Sequence, residues 1–175
     1  MKLFKPKSSI IGQAGFTLIE MIVAMVITGL IGFGASIATA QVLNQTTRNN
    51  DYTLASRNAL NALYWISLDA SMAQTIDGDE GFPQTENLSF YWKGWDNTEY
   101  SANYTLENSV LKRIYSKNGQ VTTTVIASNI NYDASMTYCA IDDGILTVTI
   151  TGSVGEGDKV VSVTKVRQII PRPSL

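Results

Sequence analysis

The chain has 175 residues, of which 45% are hydrophobic and 16% are charged, so it is long enough for one membrane segment and one small domain. Its 13 Lys and Arg against 15 Asp and Glu leave no basic field for binding nucleic acid. The absence of histidine and the single cysteine, Cys139, exclude a His-dependent catalytic or metal site and an internal disulfide. No phosphate-binding loop or nucleophile motif is present, so we expect neither an enzyme nor a cofactor.

The first element is an apolar run that follows a short basic leader. Between Phe16 and Ala40 the only charged side chain is Glu20. A helix over these residues is about 37 Å long, enough to cross the ~30 Å hydrocarbon core of a bilayer. Because all the leader's charges are lysines, the positive-inside rule predicts a cytoplasmic N-terminus, with everything after Ala40 across the membrane.

Three interpretations of this run are open. A secretory signal peptide fits the leader and the Ala38-Thr39-Ala40 cleavage pattern, but the run is about twice the usual 7–15 residues and contains Glu20. A plain single-pass anchor explains the length and leaves Glu20 and Gly15 unexplained. The third interpretation accounts for the glycine, the apolar residue after it and the acid together.

The segment Gly15-Phe16-Thr17-Leu18-Ile19-Glu20 resembles, residue for residue, the signature of type IV pilin-like precursors, which include the type II secretion pseudopilins. The resemblance implies that a prepilin peptidase cleaves between Gly15 and Phe16, and that the new Phe16 amine is N-methylated. It also implies that Glu20, the fifth residue of the mature chain, forms an assembly salt bridge with the Phe16 ammonium of a neighbouring subunit. Such a pair offsets two desolvation costs and sets the register between helices.

The helix is predicted to continue far beyond the apolar run, from about residue 16 to Ile76. Small side chains at Gly32, Ser36 and Ala40 form a candidate helix-packing stripe within the membrane and assembly part, residues 16–40. Residues 41–76 are predicted to be an amphipathic continuation into the head, with a stripe that packs on a sheet. The residues of this apolar stripe are Ala55, Ala59, Ala62, Leu63, Ile66, Ala70 and Ala73.

A glycine-containing acidic loop is predicted to end the helix. Its residues Asp77, Asp79 and Glu80 are a weak candidate for calcium binding, but their spacing matches no EF-hand loop, so a solvated loop is the favoured interpretation. After the loop, short β-type runs separated by turn residues, such as Lys117-Asn118-Gly119 and Asp142-Asp143-Gly144, predict antiparallel hairpins. The predicted strands are Asn87–Trp92, Glu99–Leu106, Val110–Tyr115, Val121–Ala127, Ile130–Cys139, Ile145–Thr151 and Val160–Ile170.

The predicted fold is therefore α+β, with a long N-terminal helix packed on an antiparallel β head formed by residues 77–175. We expect Cys139 to be a small buried thiol. The aromatic residues Tyr91, Trp92, Trp95 and Tyr100 cluster in the sequence. Such residues more often cover a core or a strand than form an exposed adhesive patch.

The order of elements loosely resembles the J- and W-type minor pseudopilins, through the stretches LDASMAQTI and IASNINYDAS and the hairpin Tyr104–Tyr115. This implies a structural subunit, at initiation or at the tip, of a type IV pilus or a type II secretion pseudopilus. The expected partners are a prepilin peptidase, other pilins, membrane lipid, and an inner-membrane assembly platform with a separate ATPase. The expected location is the inner membrane and then the filament. The alternative function is an exported adhesion or carbohydrate-binding module on a simple anchor or signal peptide.

Overall fold

The computed structural model describes residues 15–78 and 80–172, so most of the predicted leader (residues 1–14) and Asp79 lie outside the described residues. The chain divides into two compact units, Met1–Gln45 and Thr46–Leu175. The elements in chain order are α1 (Leu18–Met72), β1 (Thr75–Asp77), β2 (Leu88–Lys93), β3 (Glu99–Glu107), β4 (Val110–Lys117), β5 (Gln120–Ala127), β6 (Tyr138–Asp142), β7 (Ile145–Val154), a 3-10 turn (Gly157–Lys159) and β8 (Val161–Ile169). This arrangement is the predicted α+β fold.

The head contains two antiparallel sheets, with strand orders β1-β2-β3-β4-β5 and β6-β7-β8. Its tight turns lie where the sequence predicts them. Asn118 and Gly119 join β4 to β5, and Asp143 and Gly144 join β6 to β7, all with positive φ. Two successive residues of positive φ form the primed turn whose twist matches an antiparallel hairpin.

The predicted apolar stripe is confirmed, because its seven residues are all buried, six of them in α1 and Ala73 directly after it. The core that they enter contains Leu88, Phe90 and Tyr104 from the five-stranded sheet together with apolar residues of the three-stranded one. Helix and sheet approach each other closely at Gly152 of β7, where an added Cβ atom would lie 2.3 Å from the carbonyl oxygen of Ala55. The observed spacing between the helix and β7 therefore depends on a glycine at this position.

The predicted end of the helix at Ile76 is wrong. Helix α1 ends at Met72, and β1 follows it as an edge strand, with Thr75 opposite Tyr91 and Asp77 opposite Ser89. The backbone N–H of Gln74 already donates to the carbonyl of Tyr91. Pairing with β2 thus satisfies backbone groups that a longer helix would otherwise satisfy, and β-branched residues favour this strand.

The predicted strand Ile130–Cys139 is also wrong over most of its length. Ile130 forms one isolated bridge with Gly152, and regular pairing resumes only at Tyr138. Between them the side chain of Asn131 accepts a hydrogen bond from the N–H of Asp133, whose own carboxylate accepts the N–H of Ser135 at 2.9 Å. Such local bonds from Asn and Asp offer the backbone a turn in place of a strand ladder.

Candidate functional site

The residues around the predicted cleavage bond form an extended, accessible segment immediately before α1. Gly15 and Phe16 have no helical structure, and Phe16 is 87% exposed. A Cβ atom added at Gly15 would meet nothing within 4 Å. No contact among residues 15–78 and 80–172 therefore requires a glycine at this position.

The start of α1 is a capping box formed by Thr17 and Glu20. The Glu20 carboxylate oxygen Oε2 accepts hydrogen bonds from the Thr17 N–H at 2.8 Å and from its Oγ1 at 2.7 Å. The Thr17 Oγ1 in turn accepts the Glu20 N–H at 3.4 Å. This reciprocal arrangement satisfies two backbone donors that a helix N-terminus leaves unpaired.

The capping box supplies a local reason for the single acid of the apolar run. An anion in the first helical turn is stabilised by the partial positive charge of the helix N-terminus. Glu20 therefore has partners within its own chain, in addition to any partner on a neighbouring subunit. Our sequence analysis missed this role, although the spacing Thr-x-x-Glu before an apolar run is a recognised sign of it.

After the capping box, α1 is apolar enough to cross a membrane, with a mean hydropathy of 2.2 over an 18-residue window. The hydroxyls within this stretch bond to the helix itself, because Thr28, Ser36 and Thr39 each donate to the carbonyl four residues earlier at 2.8–2.9 Å. Such bonds leave no hydroxyl proton unsatisfied in lipid. A long apolar helix near the N-terminus fits a membrane-anchored protein.

The three candidate packing residues Gly32, Ser36 and Ala40 are exposed in the single chain. A Cβ atom added at Gly32 would meet nothing within 4 Å, so the space beside it is open to a neighbouring helix. Packing through these residues stays a prediction, since residues 15–78 and 80–172 contain no second α-helix for them to contact.

The acidic loop is described only in part, so its candidate metal site stays untested. Asp77 lies in β1 and Glu80 in the turn that follows, while Asp79 is outside the described residues. Among residues 15–78 and 80–172 no group of three or more His, Cys, Asp or Glu side chains could hold a metal ion.

An ion pair between α1 and β4 is a cluster of charged side chains that the sequence did not predict. The fully buried carboxylate of Asp69 accepts hydrogen bonds from Arg113 Nε at 2.6 Å and Nη2 at 2.7 Å, and from the Tyr104 hydroxyl. Burial lowers the pKa of Arg113, but hydrogen bonds to Asp69 and its charge more than offset this and raise it. Burial, followed by the charge of Asp69, raises the pKa of Tyr104 far above its ordinary value.

This cluster holds the helix to the sheet. The Arg113 guanidinium also lies 5.1 Å from the ring centroid of Trp65 and 4.4 Å from that of Tyr115. The Arg113 charge is thus paired and its faces are covered by aromatic rings, as expected for a largely buried arginine with a structural role. Asp69 and Arg113 are 44 positions apart along the chain, so no local sequence pattern predicts that they form a pair.

The predicted aromatic cluster divides into two parts. Trp92 stacks on Tyr100 with centroids 5.6 Å apart, and both rings lie near Tyr115 as cover for the sheet. Tyr91 is exposed, and Trp95 is fully exposed in the turn between β2 and β3. Cys139 is buried, as predicted.

Comparison with protein-family models matches the N-terminal part of the chain. Residues 11–36 match the family model described as the prokaryotic N-terminal methylation motif. No curated protein and no solved structure matches the chain. The match includes the predicted cleavage segment, the capping box and the beginning of the apolar helix. The chain therefore carries the N-terminal methylation motif that is the signature of type IV pilins and pseudopilins.

Proposed function

We propose that this chain is a non-catalytic structural subunit of a type IV pilus or a type II secretion pseudopilus, and more specifically a minor subunit at initiation or at the tip. The observation that carries the proposal is the methylation motif at residues 11–36, which leads directly into a long apolar helix. The motif points to processing by a prepilin peptidase and to assembly with other pilins.

The proposed mechanism begins at the membrane. The leader stays in the cytoplasm, α1 crosses the bilayer and the head lies on the far side, as the leader lysines favour. Cleavage after Gly15 releases a new amine on Phe16, next to the Thr17 N–H that Glu20 accepts. A separate ATPase and an inner-membrane platform then move the helix from lipid into a bundle of similar helices, where apolar side chains that faced lipid contact each other.

Within this mechanism Glu20 has two successive roles. In the precursor its carboxylate completes the capping box with Thr17. In the filament the same carboxylate pairs with the methylated Phe16 ammonium of a neighbouring subunit, so that neither charge enters the apolar bundle alone. Gly32, Ser36 and Ala40 then allow close approach of the neighbouring helices.

The test is mass spectrometry of the full chain from cells with and without the prepilin peptidase. We expect the peptidase to remove residues 1–15 and to leave a chain that begins with methylated Phe16. Gly15→Arg should block this step, and because Gly15 has open space around it, the loss would be due to the peptidase rather than to misfolding. Gly12→Arg is the matched control with the same added charge. A mature chain that begins at Gln41 would contradict the proposal and favour the secreted adhesion module.

A further inference from the structure

The outer edge of β5 is a surface for which the proposed function supplies no role. Every residue from Gln120 to Val125 is exposed, and Val121 and Val125 are 62% and 61% exposed. β5 is paired with β4 on one side, and among residues 15–78 and 80–172 no strand is paired with its other side. A row of backbone donors and acceptors therefore faces solvent, which is a template for pairing with another strand.

The other three edge strands have protective features that β5 lacks. β1 is only three residues long, β6 ends with Asp142, and β8 contains Lys165 and Arg167. Short strands and charged side chains are the usual means of preventing edge-to-edge pairing. β5 has eight residues and contains neither a charged residue nor a proline. The difference singles out β5 as an edge that is open to a partner.

The sequence of this edge is self-complementary. The residues Val-Thr-Thr-Thr-Val at 121–125 form a palindrome centred on Thr123. In an antiparallel pair of two copies about a two-fold axis at Thr123, Val121 of each copy lies opposite Val125 of the other, and threonine lies opposite threonine. Aliphatic and Thr–Thr cross-strand pairs stabilise a sheet, and no like charges face each other.

We propose that the exposed edge of β5 is a docking site for β5 of a second copy of this chain, which joins two five-stranded sheets across a two-fold axis. An edge contact of one strand is smaller than the interfaces of about 1,200–2,000 Å² typical of stable complexes, so it is weak between free molecules. The membrane anchor of the proposed function confines both copies to one surface and raises their effective concentration. The pairing of β5 edges rests on the proposed function only through this membrane anchor, and it does not require cleavage by the peptidase.

The first test is disulfide crosslinking of the full chain in its membrane. Residues directly opposite in an antiparallel pair have Cα atoms about 4.5–5.5 Å apart, within the range that a disulfide spans. Thr123→Cys should therefore give a crosslinked homodimer under mild oxidation, whereas the unmodified chain, whose Cys139 is buried, should not. Val166→Cys is the matched control, since Val166 is 61% exposed on the charged edge strand β8. Equal crosslinking at both sites, or a product between Cys at 123 and a different protein, would overturn the proposal.

The second test uses charge within the Thr123→Cys background. Val121→Lys with Val125→Lys places positive charges opposite each other, and we expect the homodimer to fall at least tenfold. Val121→Lys with Val125→Glu places opposite charges face to face and should restore it. All these positions are exposed, so unchanged thermal unfolding should accompany both variants. Equal crosslinking of the two charge variants would overturn the proposal. Methylation of Phe16, measured on the same samples, reports separately on the proposed function.

Discussion

The two parts of helix α1 differ in what covers their apolar side chains. From Leu18 to Gln45 every residue is exposed in the single chain, including a run of large apolar side chains. From Ala55 to Ala70 the same helix buries a continuous stripe in the core of the head. The sheets of the same chain cover the apolar stripe of the second part, whereas the apolar side chains of the first part need lipid or other helices to cover them. Substitutions in the head should therefore change stability and leave processing unchanged, and substitutions at the N-terminus should do the reverse.

The largest effect on the head is expected from Asp69→Ala. The substitution leaves the largely buried Arg113 charge without its partner and removes the acceptor of the Tyr104 hydroxyl. We expect a loss of about 3–5 kcal/mol in the free energy of unfolding, measured by denaturant titration of the full chain in detergent. The double variant Asp69→Leu with Arg113→Met is the control, because replacing both charges with apolar side chains should be much less costly. If the single variant cost under about 1 kcal/mol, the buried pair would not hold helix and sheet together.

A glycine-to-alanine substitution in each region sharpens the comparison. Gly152→Ala places a Cβ atom 2.3 Å from the Ala55 carbonyl, and we expect it to destabilise the head by about 1–3 kcal/mol. Gly32→Ala meets nothing within 4 Å in an exposed helix, so it should instead favour the helix by about 1 kcal/mol. Thermal unfolding and helix content by circular dichroism report the two effects. A loss of helix in the Gly32 variant would contradict the open space beside that residue.

How much of the fold and of the candidate site the sequence predicts depends on whether each feature is determined by residues that lie close together in the chain. The buried stripe of α1 and the turn at Asn118-Gly119 follow from spacing and residue type, and both are confirmed. The capping box of Thr17 and Glu20 is equally local and could have been found by its spacing.

The features that the sequence did not reveal depend on distant partners. Helix α1 ends at Met72 because β1 pairs with β2. The β2 partners of β1 lie 12 to 16 positions further along the chain, as in the pairs Asp77–Ser89 and Thr75–Tyr91. The pair of Asp69 and Arg113 requires the helix to lie on β4. Periodicity shows which face of an element is apolar, but it does not show which element of the fold comes to lie against that face.

At the N-terminus, Thr17→Val separates the two roles assigned to Glu20. It removes the hydroxyl of the capping box and keeps the carboxylate, so it should weaken the start of the helix by about 1 kcal/mol. Hydrogen exchange of the first turn measures this loss. Glu20→Gln removes only the charge, because the Gln side-chain oxygen can still accept the Thr17 N–H, and it should reduce incorporation into the filament far more than Thr17→Val does. Equal losses of incorporation would mean that Glu20 acts as a cap and forms no salt bridge with a neighbouring Phe16 amine.

The smallest effect is expected from Trp95→Ala, which tests whether the most exposed aromatic side chain of the head contributes to its stability. Trp95 is fully exposed, in a turn whose backbone is held by the Gly94 N–H bonded to the Thr98 carbonyl and by the Asp96 carboxylate. Because the ring covers no core residue, we expect a change within about 0.5 kcal/mol in denaturant titration. Phe90→Ala, at a fully buried ring five positions earlier, should cost about 3–5 kcal/mol. A loss above about 1 kcal/mol for Trp95→Ala would mean that this ring packs against another surface, and the head, like the first part of α1, would then depend on a partner for its stability.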